Sequence, residues 1–430
     1  MALAARPLPA GRRSGTVRGR PAIRAEGVTV ATLVAGGALA LLVGHDGTPG
    51  WQVARSMVVA LLSGAALFVE ARVGDRGRGR LAAGIGIVVL AAGGGYLPFV
   101  AKDPASLEAV AGSAAVLSGL LLTAMGVVIG TRGRARLHRV AAGVLTVFIA
   151  LLAASVLGVA VAGTNVSRPA IGETPADRGL AHESVTLTTD DGVALAGWYV
   201  VSTNRAAVVL LHGAGSTRSN VLDEAAVLAR HGLGVLMVDA RGHGNSGGRA
   251  MDFGWHGDAD IAAAVRYLAA RPDVDRERIG AVGLSMGGEE AIGAAATNPF
   301  IKAVVAEGAT GRTAADAAWL SDEFGLRGAF QEQIERLQDR VTDVLTSASV
   351  PTSLRAAVEA GGARYLMITA GDVTDEGRAA AYVAAAAPDR TETWSVPGAG
   401  HTAGLRTAAV EWERRVIGFL SNALAVPDQR

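Results

Sequence analysis

Two hydropathic regimes divide the chain near residue 163. Before that point apolar residues gather in five runs, at 28–44, 57–71, 81–101, 109–130 and 140–163. After it, apolar positions come in short bursts separated by stretches with helical periodicity. A bilayer core takes about 17–25 apolar residues of helix. The last three runs reach that length and the first lies at its lower limit. The second reaches it only by extending through Val53 and Ala54 and burying or snorkelling Arg55. Small residues inside the runs, such as Gly36, Gly37, Gly84, Gly86 and Gly93, suit close helix packing in lipid. One cleavable leader would explain one run but not five. The pattern predicts an all-α transmembrane bundle of about five spans over residues 28–163.

Arginine placement orients the bundle. Residues 1–27 carry six arginines from Arg6 to Arg24, the loop after the second run carries Arg72, Arg76, Arg78 and Arg80, and the loop after the fourth carries Arg132, Arg134, Arg136 and Arg139. The alternate loops hold only Arg55 and Lys102. Basic loops stay in the cytoplasm. The expected topology is therefore a cytoplasmic N-terminus, five spans and everything after residue 163 outside a bacterial cell membrane.

Residues 164–181 are polar, contain Pro169 and Pro175, and read as a linker. Beyond them strands are predicted at 183–189, 195–201, 207–211, 234–238, 279–284, 303–306, 365–369 and 391–396. Helices are predicted at 220–230, 258–269, 286–296 and 410–424. Strands alternating with helices in this way predict an α/β domain over residues 182–426 with a doubly wound, mostly parallel sheet.

Composition narrows the chemistry. The chain has no cysteine, which excludes disulfides, thiolate metal sites and a thiol nucleophile. A formal charge of +1 gives no nucleic-acid footprint. His, Asp and Glu are scattered and no phosphate-binding loop appears, so neither a metal nor a cofactor is expected.

The residues from Gly283 to Gly287 form a G-x-S-x-G sequence between a predicted strand and helix. Its glycines permit the tight turn that lifts a serine hydroxyl above the sheet edge at the positive end of a helix. Residues 244–248 also match, but within a loop. Three further segments accompany it: Leu211-His212-Gly213-Ala214-Gly215, Asp239-Ala240-Arg241-Gly242-His243-Gly244 and Pro397-Gly398-Ala399-Gly400-His401. In this order the four segments resemble those of the α/β-hydrolase superfamily, over residues 183–424.

The resemblance implies Ser285 as nucleophile, His401 as general base and then acid, and the amides of Ala214 and Met286 as oxyanion donors. The acid belongs after the strand at 365–369, where Asp372, Asp375 and Glu376 are available. The usual spacing lands on Thr374, so the first choice is Asp375, with Glu376 the alternative and Asp372 third. Glu307, His212, His243 and Asp239 read as structural groups. An insertion at about 310–362, with a helix at 331–345, is expected to act as a small lid over the site.

These residues predict a membrane-anchored serine hydrolase acting on small-molecule or lipid-like carboxylic esters. A peptidase, thioesterase or acyltransferase would use the same triad, and a non-catalytic binding or sensing module would keep the fold alone. Oligomeric state has no signature in the sequence.

Overall fold

The five apolar runs all fold as helices in the computed structural model, which describes residues 25–44 and 49–426; the arginines at 6–24 lie outside the described residues. The helices are α1 (Ala25–Gly44), α2 (Pro49–Arg72), α3 (Asp75–Gly94), α4 (Leu107–Gly130) and α5 (Arg136–Ala153). The α5 helix continues through a π-helical turn, Ala154–Gly158, into a last α-turn, Val159–Thr164. Among the described residues, three stretches are long and apolar enough to cross a membrane: Gln52–Arg72, Leu107–Gly130 and Arg136–Thr164. The weak second run is thus one continuous helix. The third run departs from expectation because it is split between α3 and a short helix, Leu97–Lys102. Pro98 sits in the first turn of that short helix, where its missing N–H costs nothing, and it cannot continue the preceding helix.

A seam of small residues holds α3 against α4. Gly79, Gly86 and Gly93 recur every seven residues on α3, and Gly112, Gly119 and Gly126 do so on α4. A Cβ added at Gly86 would lie 2.5 Å from the Thr123 amide, and one at Gly119 would lie 2.6 Å from the Leu90 amide. Gly79 meets Gly126 and Gly130, while Gly93 meets Gly112 and Ala115, so the two helices run antiparallel. Approach this close lets the two backbones make van der Waals contact along the whole seam.

The C-terminal part is an eight-stranded sheet in the order β1-β2-β4-β3-β5-β6-β7-β8. The strands are β1 (Glu183–Thr188), β2 (Ala194–Val200), β3 (Ala207–Leu211), β4 (Gly234–Val238), β5 (Ile279–Leu284), β6 (Ile301–Glu307), β7 (Arg364–Ala370) and β8 (Thr391–Val396). The β1–β2 and β2–β4 pairs are antiparallel and the rest are parallel. Every residue of β3, β4 and β5 is buried, as strands covered on both faces require.

Two apolar clusters lie on opposite faces of the sheet. One packs Val209, Leu236 and Ala281 against Ile261 and Leu268 of helix α7 (Gly257–Ala269); the other packs Leu210, Met237 and Val282 against Leu228 of α6 (Leu222–Arg230) and Trp412 of the last helix, Ala409–Ala423. Each such large side chain contributes about 1.5–3 kcal/mol on full burial.

Residues 164–181 are no open tether. Thr164, Asn165 and Ser167 are buried, and Arg168 donates to the carbonyls of Gly244, Ser246 and Gly248. The linker therefore ties the C-terminal end of the α5 stretch to the loop after β4. Phe99 and Asn165 share a small cavity with Gly242 and Arg249, so this end of the bundle abuts the sheet domain.

Candidate active site

Ser285 follows β5 and opens helix α8 (Met286–Thr297). Its backbone sits at φ 53°, ψ −124°, a region costly for a side chain other than glycine, and its amide donates to the Glu307 carbonyl at 2.7 Å. The flanking glycines make this turn possible. A Cβ on Gly283 would stand 2.2 Å from the Gly287 carbonyl oxygen, and one on Gly287 would stand 2.6 Å from that of His212. Neither position has room for a side chain.

Three side chains meet here. His401, in the loop after β8, places Nε2 2.9 Å from Ser285 Oγ and Nδ1 2.7 Å from Glu376 Oε1. The second Glu376 oxygen accepts from the Ala370 amide at 2.7 Å. A carboxylate can only accept, so Nδ1 carries the hydrogen and Nε2 is left to accept from the serine hydroxyl. This arrangement can take the proton from Ser285 and stabilise the imidazolium that forms.

The carboxylate on His401 is therefore Glu376 and not Asp375, the first choice from sequence. Both residues lie in the first turn of α10 (Thr374–Ala384), about 100° apart around its axis. Glu376 turns inward and is 1% exposed, whereas Asp375 faces outward and pairs with Arg378 at 3.1 Å. Because a helix begins at Thr374, loop spacing is a poor guide to the acid here.

Met286 and Ala214 flank the serine. Met286 is the first residue of α8, and Ala214 follows Gly213, whose added Cβ would lie 3.1 Å from Ser285 Cβ. Neither amide has a hydrogen-bond partner among the described residues. Ala214, Leu284, Ser285, His401 and Glu224 line a cleft of about 600 Å³.

The other motif residues build the walls. His212 donates from Nδ1 to the Gly213 carbonyl at 2.8 Å and accepts from the Ala240 amide at 3.0 Å. His243 likewise donates to the Arg241 carbonyl and accepts from the Gly215 amide at 3.0 Å. Burial pushes His212 down to about 3 and lowers His243, so both stay neutral and join the two loops. Asp239 accepts from the Arg218 amide and guanidinium and from the Asn245 amide. Ser246, in the second G-x-S-x-G match, donates to the Asp239 carbonyl and accepts from the Ala196 amide. The Glu307 carboxylate, its pKa raised by burial, accepts from the Gly404 amide and Trp412 Nε1, fastening the His401 loop to the last helix.

Two features escaped the sequence reading. Residues 310–362 do not line the Ser285 cleft; they close a separate cavity of about 380 Å³ together with Phe253, Asp375 and Ala379. The insertion is drawn instead toward the end of α5, where Gln338 Nε2 donates to the Ser155 carbonyl at 2.6 Å. The second feature is Glu224, on α6, which faces the cleft while only 8% exposed. Desolvation pushes its carboxyl up to about 7.

That raised value has a stability consequence. With a folded pKa of about 7 against 4.5 unfolded, the native state holds the proton between those values, so stability falls as pH rises from 4.5 to 7 and is level above. Glu224→Gln is expected to leave thermal stability unchanged near pH 4.5 and to raise it above pH 7 by up to about 3 kcal/mol. Tryptophan-fluorescence melts at the two pH values check this.

Comparison with known proteins bears on the same region. Residues 202–351 match a family model described as serine aminopeptidase, S33, a stretch that takes in Ser285 and ends before Glu376 and His401. An uncharacterized protein of Mycobacterium tuberculosis is 37% identical over 122 residues, 28% of this chain and 43% of that protein. The thiohydrolase aneE of Aspergillus aculeatus is 33% identical over 128 residues, 29% of this chain and 40% of that protein. The chain thus spans less than half the length of these curated relatives. Among solved structures, an esterase of Pyrococcus furiosus is 24% identical and covers 61% of this chain and 98% of its own, at a TM-score of 0.49.

Proposed function

Because the chain carries a domain of the α/β-hydrolase superfamily, we propose that it is a membrane-anchored serine hydrolase that cleaves carboxylic esters through Ser285, His401 and Glu376. The observation that carries this reading is the unbroken hydrogen-bond chain from Ser285 Oγ through both His401 nitrogens to Glu376, at 2.9 and 2.7 Å, beside an open cleft. Ser285 Oγ attacks the ester carbonyl as its proton passes to His401 Nε2. The Ala214 and Met286 amides hold the oxyanion of the tetrahedral intermediate. His401 returns the proton to the departing alcohol, leaving an acyl-enzyme. Water then attacks the acyl group, giving its proton to Nε2, and the acid leaves as Ser285 regains its hydrogen.

The membrane part rests on side chains that need an apolar surrounding. Leu61 and Leu62 of α2 and Leu137, Val144 and Leu151 along α5 all point outward and exposed. An apolar collar this extensive is a lipid-facing surface. The arginine-rich segments where α2 meets α3 and α4 meets α5 lie at the end of these helices away from the sheet domain, which supports a cytoplasmic position for them and an external one for the domain.

A second reading, cleavage of peptides bearing a free amine, draws on one observation: Glu224 places a carboxylate in the cleft where a substrate ammonium would pair. Steady-state rates on matched p-nitrophenyl esters, thioesters and aminoacyl anilides separate the readings. The ester reading expects the highest kcat/KM on the esters. Faster turnover of aminoacyl anilides, lost in Glu224→Gln, would replace it.

A further inference from the structure

The insertion helix α9 (Leu326–Leu345) has its polarity inverted for a helix on a soluble domain. Its inward face is polar: Glu332 accepts from the Ser321 amide at 2.8 Å, Asp339 accepts from the Ala314 amide at 2.7 Å, and Thr342 is buried. Its outward face carries an apolar stripe, with Gln333 at its edge. Leu326, Phe330, Leu337 and Val344 are all exposed, the first by 92% and the last by 82%. At about 100° per residue these four fall within about 40° of one another around the axis, a single stripe. Arg336 and Arg340 flank it on one side and Arg327 on the other. Ordinary surface helices show the opposite arrangement.

The position of α9 explains the inversion. It packs along the π-helical turn and last α-turn of α5, Gln338 donates to the Ser155 carbonyl, and Leu345 joins the apolar cluster of the bundle. Ser155 lies 19 residues beyond Arg136, which opens α5, so at about 1.5 Å per residue it sits about 28 Å along the helix. That is close to the full thickness of a bilayer core of about 30 Å. On the membrane reading, with the core beginning at Arg136, the helix crosses α5 near the level where acyl chains give way to headgroups.

We propose that α9 is an interfacial helix that seats the hydrolase domain on the outer leaflet. Its Leu-Phe-Leu-Val stripe dips among the acyl chains, and Arg327, Arg336 and Arg340 meet anionic headgroup phosphates. A stripe of large apolar residues bordered by arginines is the pattern that places a helix in the plane of an anionic membrane. The proposal rests on the membrane reading of the bundle, so its test must separate the two.

The chain has no cysteine, which makes single-cysteine labelling direct. The full-length protein is reconstituted in phosphatidylcholine–phosphatidylglycerol vesicles carrying an environment-sensitive fluorophore at Leu61→Cys, Phe330→Cys, Leu337→Cys, Val344→Cys or Asp389→Cys. Each sample is titrated with shallow doxyl-labelled lipid and, separately, with iodide. The expected result is strong quenching by the lipid at positions 330, 337 and 344 as well as 61, with position 389 quenched by iodide alone. Quenching at 61 with iodide-accessible positions 337 and 344 would overturn the proposal and leave the bundle reading intact. Shielding of 337 and 344 from both quenchers would mean that protein, such as a second copy of the chain, covers the stripe, and would also overturn it. Loss of lipid quenching at 61 would remove the membrane reading itself.

Discussion

Ser285→Ala is expected to lower kcat for ester hydrolysis by about 10⁶-fold, the scale of loss seen when the nucleophile of a cooperating triad is removed. The loss should come without unfolding. Ser285 donates its backbone amide, not its hydroxyl, to Glu307, and its close neighbours Gly283 and Gly287 are untouched by the change. The φ of 53° is as costly for alanine as for serine, so the turn carries the same strain in both proteins. Thermal midpoints of the two proteins should agree, and the variant should still bind an unreactive ester analogue. A variant that retained substantial activity would move the nucleophile elsewhere.

Glu376→Gln is expected to reduce kcat by about 10⁴-fold, and the reason is a competition between two donors. The wild-type carboxylate accepts from His401 Nδ1 with one oxygen and from the Ala370 amide with the other. Glutamine has one acceptor. Ala370 N–H is fixed at the end of β7 and claims the oxygen, which turns the side-chain NH₂ toward Nδ1. His401 then accepts at Nδ1 and carries its hydrogen on Nε2, the nitrogen that must take the proton from Ser285. Asp375→Asn, one residue away, removes only an exposed pair with Arg378 and is expected to stay within about twofold of wild type. Parallel kinetics of the two variants check the assignment, and a large loss in Asp375→Asn with little in Glu376→Gln would reverse it.

The contrast between these two acids shows where sequence reading stops. Strands β3, β4, β5 and β8 were legible to the residue because continuous apolar runs, or an alternating one, ended at His212, Asp239, Ser285 and Pro397. Ser285 was legible because its glycines sit between such a strand and a helix, while Ser246 lacks that context. The choice between Asp375 and Glu376 depends on where α10 begins, since one residue rotates a side chain by about 100°. Nothing in the local pattern fixes that start.

The path of the insertion was hidden for a different reason. Its outward apolar stripe reads, in a linear sequence, like an inward one, so the pattern alone does not say which face of the helix is covered. The contact between Gln338 and Ser155, together with Leu345 in the bundle's apolar cluster, reveals that it leans on the bundle. Glu224 was invisible because its significance lies in facing a cleft formed by residues far along the chain. The glycine seam of α3 and α4, by contrast, was present in the sequence as two period-seven series and can be found by counting.

The central claim is that Ser285 is an activated nucleophile, and covalent labelling tests it most directly. The full-length protein in detergent is treated with a fluorophosphonate and the modified peptide is mapped by mass spectrometry. The account predicts a single stoichiometric adduct on Ser285, slowed strongly in Glu376→Gln and unaffected in Asp375→Asn. A folded protein that takes no label, or takes it on a serine other than Ser285, would contradict the account.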